Sequence, residues 1–272
     1  LYGNTIGTNN NAMGTSALRE NTTGVENSAF GTYALRKNTS GSYNIAIGSS
    51  ALQENLIGSA NTAVGYQSLI TNITGSQNVA VGYGSLRSNN TSNNVAVGFN
   101  ALYTNTTGYG VVAVGYNALV SNIWGGYNTA VGFQALYSNT TASRNTAVGA
   151  YSQFNNTFGY ANVSVGNDTL INNTTGSYNT AIGSRSLQSN TVGINNTAVG
   201  FKSLFINTTG INNTSVGYQA LYYNTIGTNN SAFGVESLLS NTTGANNTAV
   251  GGLAMSNNTT GIRNSAFGDN SS

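Results

Sequence analysis

Asn196-Thr197-Ala198-Val199-Gly200-Phe201-Lys202-Ser203-Leu204-Phe205-Ile206-Asn207-Thr208-Thr209-Gly210 is one wind of a pattern that fills the chain. Aligning on the glycine that closes Asn-Thr-Ala-Val-Gly gives sixteen copies, anchored at Gly14, Gly31, Gly48, Gly65, Gly82, Gly98, Gly115, Gly132, Gly149, Gly166, Gly183, Gly200, Gly217, Gly234, Gly251 and Gly268. Successive anchors lie 17 residues apart, except Gly82 and Gly98, which are 16 apart. Self-similarity at a fixed period marks a repeat architecture. Helix-pair repeats need more than about 30 residues per unit, so a 17-residue copy with two glycines has no room for two helices.

Each column carries a physical message. The residue before the anchor is apolar, as in Met13, Phe30, Ile47, Val64 and Phe267, and the one before that is Ala, except Ser164 and Ser215. Four before the anchor stands Asn, replaced once by Val111. Four after it stands Leu, relaxed to Gln153 and Met255, and seven after it Asn, from Asn4 to Asn258. Asn-Thr-Ala-Val reads as a short extended segment, and Ala-Leu with its neighbours as a second. Asn-Thr-Thr-Gly is turn chemistry, because Asn tolerates the left-handed region and Gly supplies it. The one-residue deletion falls in this turn, at residues 89–94, where a loop absorbs it. The expected fold is all-β: a β-solenoid, or parallel β-roll, of about sixteen 17-residue coils forming a single repeat domain over residues 1–272. Val and Leu columns are expected to make the core, and Asn columns to form side-chain amide ladders. Unvarying Ala implies a close-packed surface opposite it. That surface is the far wall of the same coil or a partner chain, and the thin core favours a partner chain.

Composition agrees. Only 5% of residues are charged, with net charge +2, and 39% are hydrophobic, which argues against disorder. A charged column would stack like charges one strand spacing apart. The eight Lys and Arg are scattered, with no basic stripe for nucleic acid, and no apolar run is long enough for a membrane span.

Catalytic and metal constellations fail on inventory. There is no His and no Cys, so the common triads and thiolate or imidazole metal sites are missing. Glu20, Glu26, Glu54, Asp168, Glu236 and Asp269 lie mostly several coils apart, and the turns lack the Asp that calcium-binding β-rolls need. No catalytic, cofactor-binding or metal site is assigned, and an enzyme is not expected. Asn-x-Ser/Thr triplets at Asn21, Asn38, Asn72, Asn105, Asn139, Asn173, Asn207, Asn241 and Asn258 are candidate glycosylation acceptors. Asn55, Asn122, Asn190 and Asn224 keep the Asn without the acceptor pattern, which points to a structural role for the column.

Asn94-Val95-Ala96-Val97-Gly98, followed by Phe99-Asn100-Ala101, and Asn179-Thr180-Ala181-Ile182-Gly183, followed by Ser184-Arg185-Ser186, resemble the head repeats of trimeric autotransporter adhesins. Related Asn-Thr-Ala-Val-Gly-Tyr repeats occur in tail-fibre-like proteins of phages and bacteria. The resemblance spans the chain through short, low-complexity motifs. It implies a left-handed parallel β-roll, three chains and an extracellular place on a cell or virion surface. The coils here are longer than the adhesins', the excess lying in the Asn-Thr-Thr-Gly turn. The residues themselves leave handedness and chain number open.

The functional expectation is a structural or adhesive segment of an extracellular fibre, an excerpt of a longer one, self-associating as a homo-oligomer or head to tail, with a surface receptor or glycan as a further partner. The alternative is an ice-binding solenoid that presents the Thr rank Thr22, Thr39, Thr106, Thr140, Thr174, Thr208 and Thr242. That rank is broken at Leu56, Ile73, Asn90 and Ile123. Aromatics one after the anchor (Tyr66, Tyr83, Phe99, Tyr116, Phe133, Phe201, Tyr218) either line an interface or pack along their own coil stack.

Overall fold

The structure, a computed structural model, describes residues 3–272. It forms two compact units, one reaching to Gln134 and one running Ala135–Ser272. Each copy of the repeat contributes one three-residue strand that ends just before its anchor glycine. The first unit holds β1 Asn11–Met13, β2 Ser28–Phe30, β3 Ile45–Ile47, β4 Thr62–Val64, β5 Val79–Val81, β6 Val95–Val97, β7 Val112–Val114 and β8 Thr129–Val131. The second holds β9 Thr146–Val148, β10 Val163–Val165, β11 Thr180–Ile182, β12 Thr197–Val199, β13 Thr214–Val216, β14 Ser231–Phe233, β15 Thr248–Val250 and β16 Ser265–Phe267.

Within each unit consecutive strands pair in parallel, like residue beside like: Thr180 with Thr197, Ala181 with Ala198, Ile182 with Val199. The chain is a parallel β-solenoid, and the described residues contain no helix. The short coil does not disturb this register. Val79, Ala80 and Val81 sit beside Val95, Ala96 and Val97, so the deletion is confined to the turn.

Side chains alternate across a strand, and that alternation corrects the expected core. The middle residue faces inward: Ala29, Ala46, Ala63 and Ala198 are fully buried. The apolar residue before the anchor faces outward, so Val64 and Val199 are only half-buried and Ile47 is exposed. The core therefore consists of Ala and Leu columns, and Val belongs to the outer face. The cover over Ala is also settled. In the second unit Ala181, Ala198 and Ala232 lie in one buried cluster with Leu187, Leu204, Leu221 and Ala220. The far wall of the same coil closes over Ala, and no partner chain is needed there.

The second extended segment does not exist. Residues one to six after each anchor from Gly14 to Gly251 form a turn, and only one strand occurs per coil. Leu204 sits in the left-handed region at φ 52°, as do Lys202 at 53° and Asn195 at 58°. The same holds along the Leu column from Leu18 to Leu238 and at Gln153 and Met255. A left-handed conformation costs an L-residue about 1–2 kcal/mol. Burying a Leu side chain returns about 1.5–3 kcal/mol, and each twisted residue keeps a backbone bond between coils. Leu204 N–H donates to the Ala220 carbonyl of the following coil at 2.9 Å, and Lys202 N–H to the Ser184 carbonyl of the preceding one at 3.1 Å. Ladder bonding thus continues through the corners.

The anchor glycine is required for two reasons. Gly200 has φ 130°, and a Cβ there would stand 2.4 Å from the Gly217 carbonyl oxygen one coil on. Gly252 has neither constraint, since its nearest neighbour would be a carboxylate oxygen of Asp269 at 3.4 Å. Gly200→Ala is expected to destabilise the second unit by more than about 4 kcal/mol and Gly252→Ala by no more than about 0.5 kcal/mol. Denaturant titration of the two variants checks the contrast; equal costs would show that the coils are not stacked this closely.

Candidate functional site

The repeated polar columns are the natural places to look for a site, and both Asn columns are committed to the fold. In the column seven after the anchor, Asn207 Nδ2 donates to Asn190 Oδ1 at 2.9 Å and to the Gly210 carbonyl at 3.1 Å. Asn224 Nδ2 in turn donates to Asn207 Oδ1 at 2.9 Å. In the column four before the anchor, Asn179 Oδ1 receives the Asn196 backbone N–H at 3.0 Å, and Asn196 Nδ2 donates to Gly210 O at 2.8 Å. The turn glycine carbonyl thus accepts an amide from each ladder and locks the start of a coil to its end. The run is interrupted at the short coil. Asn89 Nδ2 donates to Thr91 O at 2.8 Å instead of reaching back, and Asn72 Oδ1 is left buried without a partner.

These ladders decide what the candidate acceptor residues can do. Asn21, Asn38, Asn72, Asn105, Asn139, Asn173, Asn207 and Asn241 are fully buried, and Asn258 is half-buried. A sugar on such an Nδ2 would displace a ladder bond and open the coil. The geometry gives the column a structural role.

The Thr column eight after the anchor is likewise engaged. Thr174, Thr191, Thr208 and Thr225 each donate the hydroxyl to the carbonyl of the next residue in the column, at 3.0–3.1 Å. Its hydroxyls knit coils together rather than standing as a free rank of donors. Thr197 and Thr214, on the strand face, make no such bond among those found for the described residues.

Exceptions to the columns explain one another. Ser164 and Ser215 replace inward-facing Ala, and each meets a Ser from the opposite wall: Ser152 Oγ at 2.5 Å and Ser203 Oγ at 2.7 Å. Gln153, replacing Leu, donates from Nε2 to Ser164 Oγ at 2.8 Å and to Thr146 O at 3.0 Å. These hydroxyls are sealed in the interior with no carboxylate beside them. The exceptions are legible in the sequence but their pairing is not, although a comparison of residues twelve apart finds it.

Charged side chains are kept off the strand face. Across all sixteen strands the two outward positions hold only Asn, Ser, Thr, Val, Ile, Met or Phe. Charges sit in the turns and pair between adjacent coils. Arg185 reaches Asp168 at 3.5 Å, Arg36 reaches Glu20 at 3.9 Å, and Lys37 bonds Glu54. Burial pushes the Glu54 carboxyl up, but hydrogen bonds from Lys37 and Gln53 and the charges of Lys37 and Arg36 outweigh it and hold the group below its usual value.

Aromatics one after the anchor stack on one another. Tyr66, Tyr83, Phe99, Tyr116 and Phe133 form a file with ring centroids 5.1–5.3 Å apart. Their faces cover each other and their edges stay exposed, as expected of a stripe packed along its own coils. In the second unit Lys202 lies over Phe201, Phe205 and Tyr222 at 5.4–5.9 Å.

Asn207→Ala removes one ladder donor and one acceptor and is expected to cost about 1–3 kcal/mol for the groups left unpaired. The exposed neighbour Thr209→Ala is expected to change stability by no more than about 0.5 kcal/mol. Thermal and denaturant melts of the pair read the difference.

No protein-family model matches this chain, and no curated protein matches it.

Proposed function

We propose that this chain is a structural or adhesive repeat segment of an extracellular fibre, on a cell or virion surface, and that it associates with copies of itself through the strand face. One observation carries the reading: a face that is uncharged at every strand and half-exposed, with side chains repeated at the strand spacing of about 4.8 Å. Its column of Val, Ile, Phe and Met before the anchors is an exposed apolar stripe, and such a stripe marks an interaction site. A partner that meets the face coil after coil must share its period, and another copy of this chain does so without adjustment. Most interior polar groups are spent on bonds between coils, which leaves the outer face as the surface for interaction. The resemblance to adhesin head repeats supports both the extracellular setting and the self-association. The ice-binding alternative gains no support from its Thr rank, whose hydroxyls are donated to backbone carbonyls. Thermal hysteresis would be its signature, and none is expected.

The test is sedimentation of the purified chain with a face variant. The chain is expected to sediment as an oligomer or filament, and Val199→Lys to weaken that association while leaving the β circular-dichroism signal unchanged. A chain that stays monomeric at high concentration, or assembles equally well with Val199→Lys, would overturn the strand face as the contact.

A further inference from the structure

Two tyrosine pairs occupy the same place in two different parts of the chain. Tyr109 stands eleven after Gly98 and Tyr127 twelve after Gly115, with ring centroids 4.9 Å apart and planes at 72°. Tyr160 stands eleven after Gly149 and Tyr178 twelve after Gly166, with centroids 4.9 Å apart and planes at 76°. All four rings are exposed, between 45% and 55% of their surface open to solvent. The edge-to-face arrangement brings the edge of one ring against its neighbour, whereas in the stacked pair Tyr66 and Tyr83 the faces meet at 25°. Strand-face residues take no part in either pair.

We propose that Tyr109–Tyr127 and Tyr160–Tyr178 are sites of oxidative cross-linking, each forming one dityrosine that staples adjacent coils of the same chain. The oxidant is hydrogen peroxide acting through a haem peroxidase. Each phenol gives up one electron and one proton, leaving two tyrosyl radicals. Their ring carbons ortho to oxygen couple, one C–C bond forms, and the two ortho hydrogens are lost as the rings regain aromaticity and the phenols their protons. In net terms two ring C–H bonds break and one molecule of peroxide becomes two of water. Half-open rings can turn about the Cβ–Cγ bond to bring the ortho carbons together, while the backbone ladders hold the two Cα atoms in place. The link ties residues 18 apart, so it restricts the unfolded chain in the manner of a disulfide in a chain that has no cysteine.

Dilute full-length chain treated with a haem peroxidase and hydrogen peroxide tests the assignment. The expected product is a monomer carrying dityrosine fluorescence, lighter by two hydrogen atoms per link, with a raised denaturation midpoint. Peptide mapping should join Tyr160 to Tyr178 and Tyr109 to Tyr127, and not Tyr66 to Tyr83. Tyr178→Phe keeps the ring, and should abolish the first link and halve the fluorescence. Links found only between chains, coupling of Tyr66 with Tyr83 as often as of the two pairs, or undiminished fluorescence in Tyr178→Phe would each overturn the proposal. The mapping of the unsubstituted chain stands whether or not that variant folds.

Discussion

Within each unit a residue meets its own counterpart one wind away, at the spacing of neighbouring strands, about 4.8 Å. That constraint chooses the residues. A column repeated against itself must be self-complementary, and few side chains are. Asn qualifies because one amide carries both donor and acceptor, so Asn190, Asn207 and Asn224 pass hydrogen bonds from coil to coil along the column. Asp would stack acceptor on acceptor. Glycine qualifies at the anchor because the next coil's carbonyl oxygen lies where a Cβ would be. Charge is helped by an opposite sign one wind away, as where Asp168 and Arg185 share a column, although Lys202 follows Arg185 in that column.

The same constraint explains how the corners are tolerated. Three non-glycine residues in most coils adopt left-handed backbone, a bulky Leu among them. In an isolated turn this would be strain without return. Here the twist aims successive N–H groups at the coil before and the coil after, so few backbone bonds are lost between strands. It also drives Leu across the narrow interior onto the Ala column. The local conflict is outweighed by its neighbours, and repetition makes the compensation available at each level.

Period, parallel stacking, amide ladders and the location of the deletion were legible in the sequence, because each rests on a column that barely varies. What misled was hydrophobicity. Val looks more like core than Ala does, and alternation says only that the two lie on opposite faces, not which one is inside. The answer depends on the width of the coil: with Leu204 reaching over from the far wall, the facing position takes a side chain no larger than Ala or Ser. The supposed second strand failed for a related reason. Nothing in the preferences of Leu foretells a left-handed conformation, since tertiary bonds between coils impose it. The ion pairs could have been found by comparing residues 17 apart, as with Lys37 and Glu54 or Asp168 and Arg185. The tyrosine pairs bridge neighbouring columns, 18 apart, and a comparison within single columns passes over them.

With the interior committed to holding coils together, interaction is left to the outward columns, and those are regular. The strand face offers a repeated set of side chains rather than one singular contact. It gains strength by number instead: a contact weak at one strand becomes effective when neighbouring strands engage in the same register, because each bond formed raises the effective concentration of the next. For the self-association proposed above, this favours a partner of matched period over a small molecule. It also makes a charged side chain costly there, since a lone ammonium placed among Val165, Ile182 and Val216 would be desolvated without a counter-ion in any partner built to the same pattern. The absence of charge from the strand face, in a chain that carries fourteen charged residues elsewhere, is what that requirement would select.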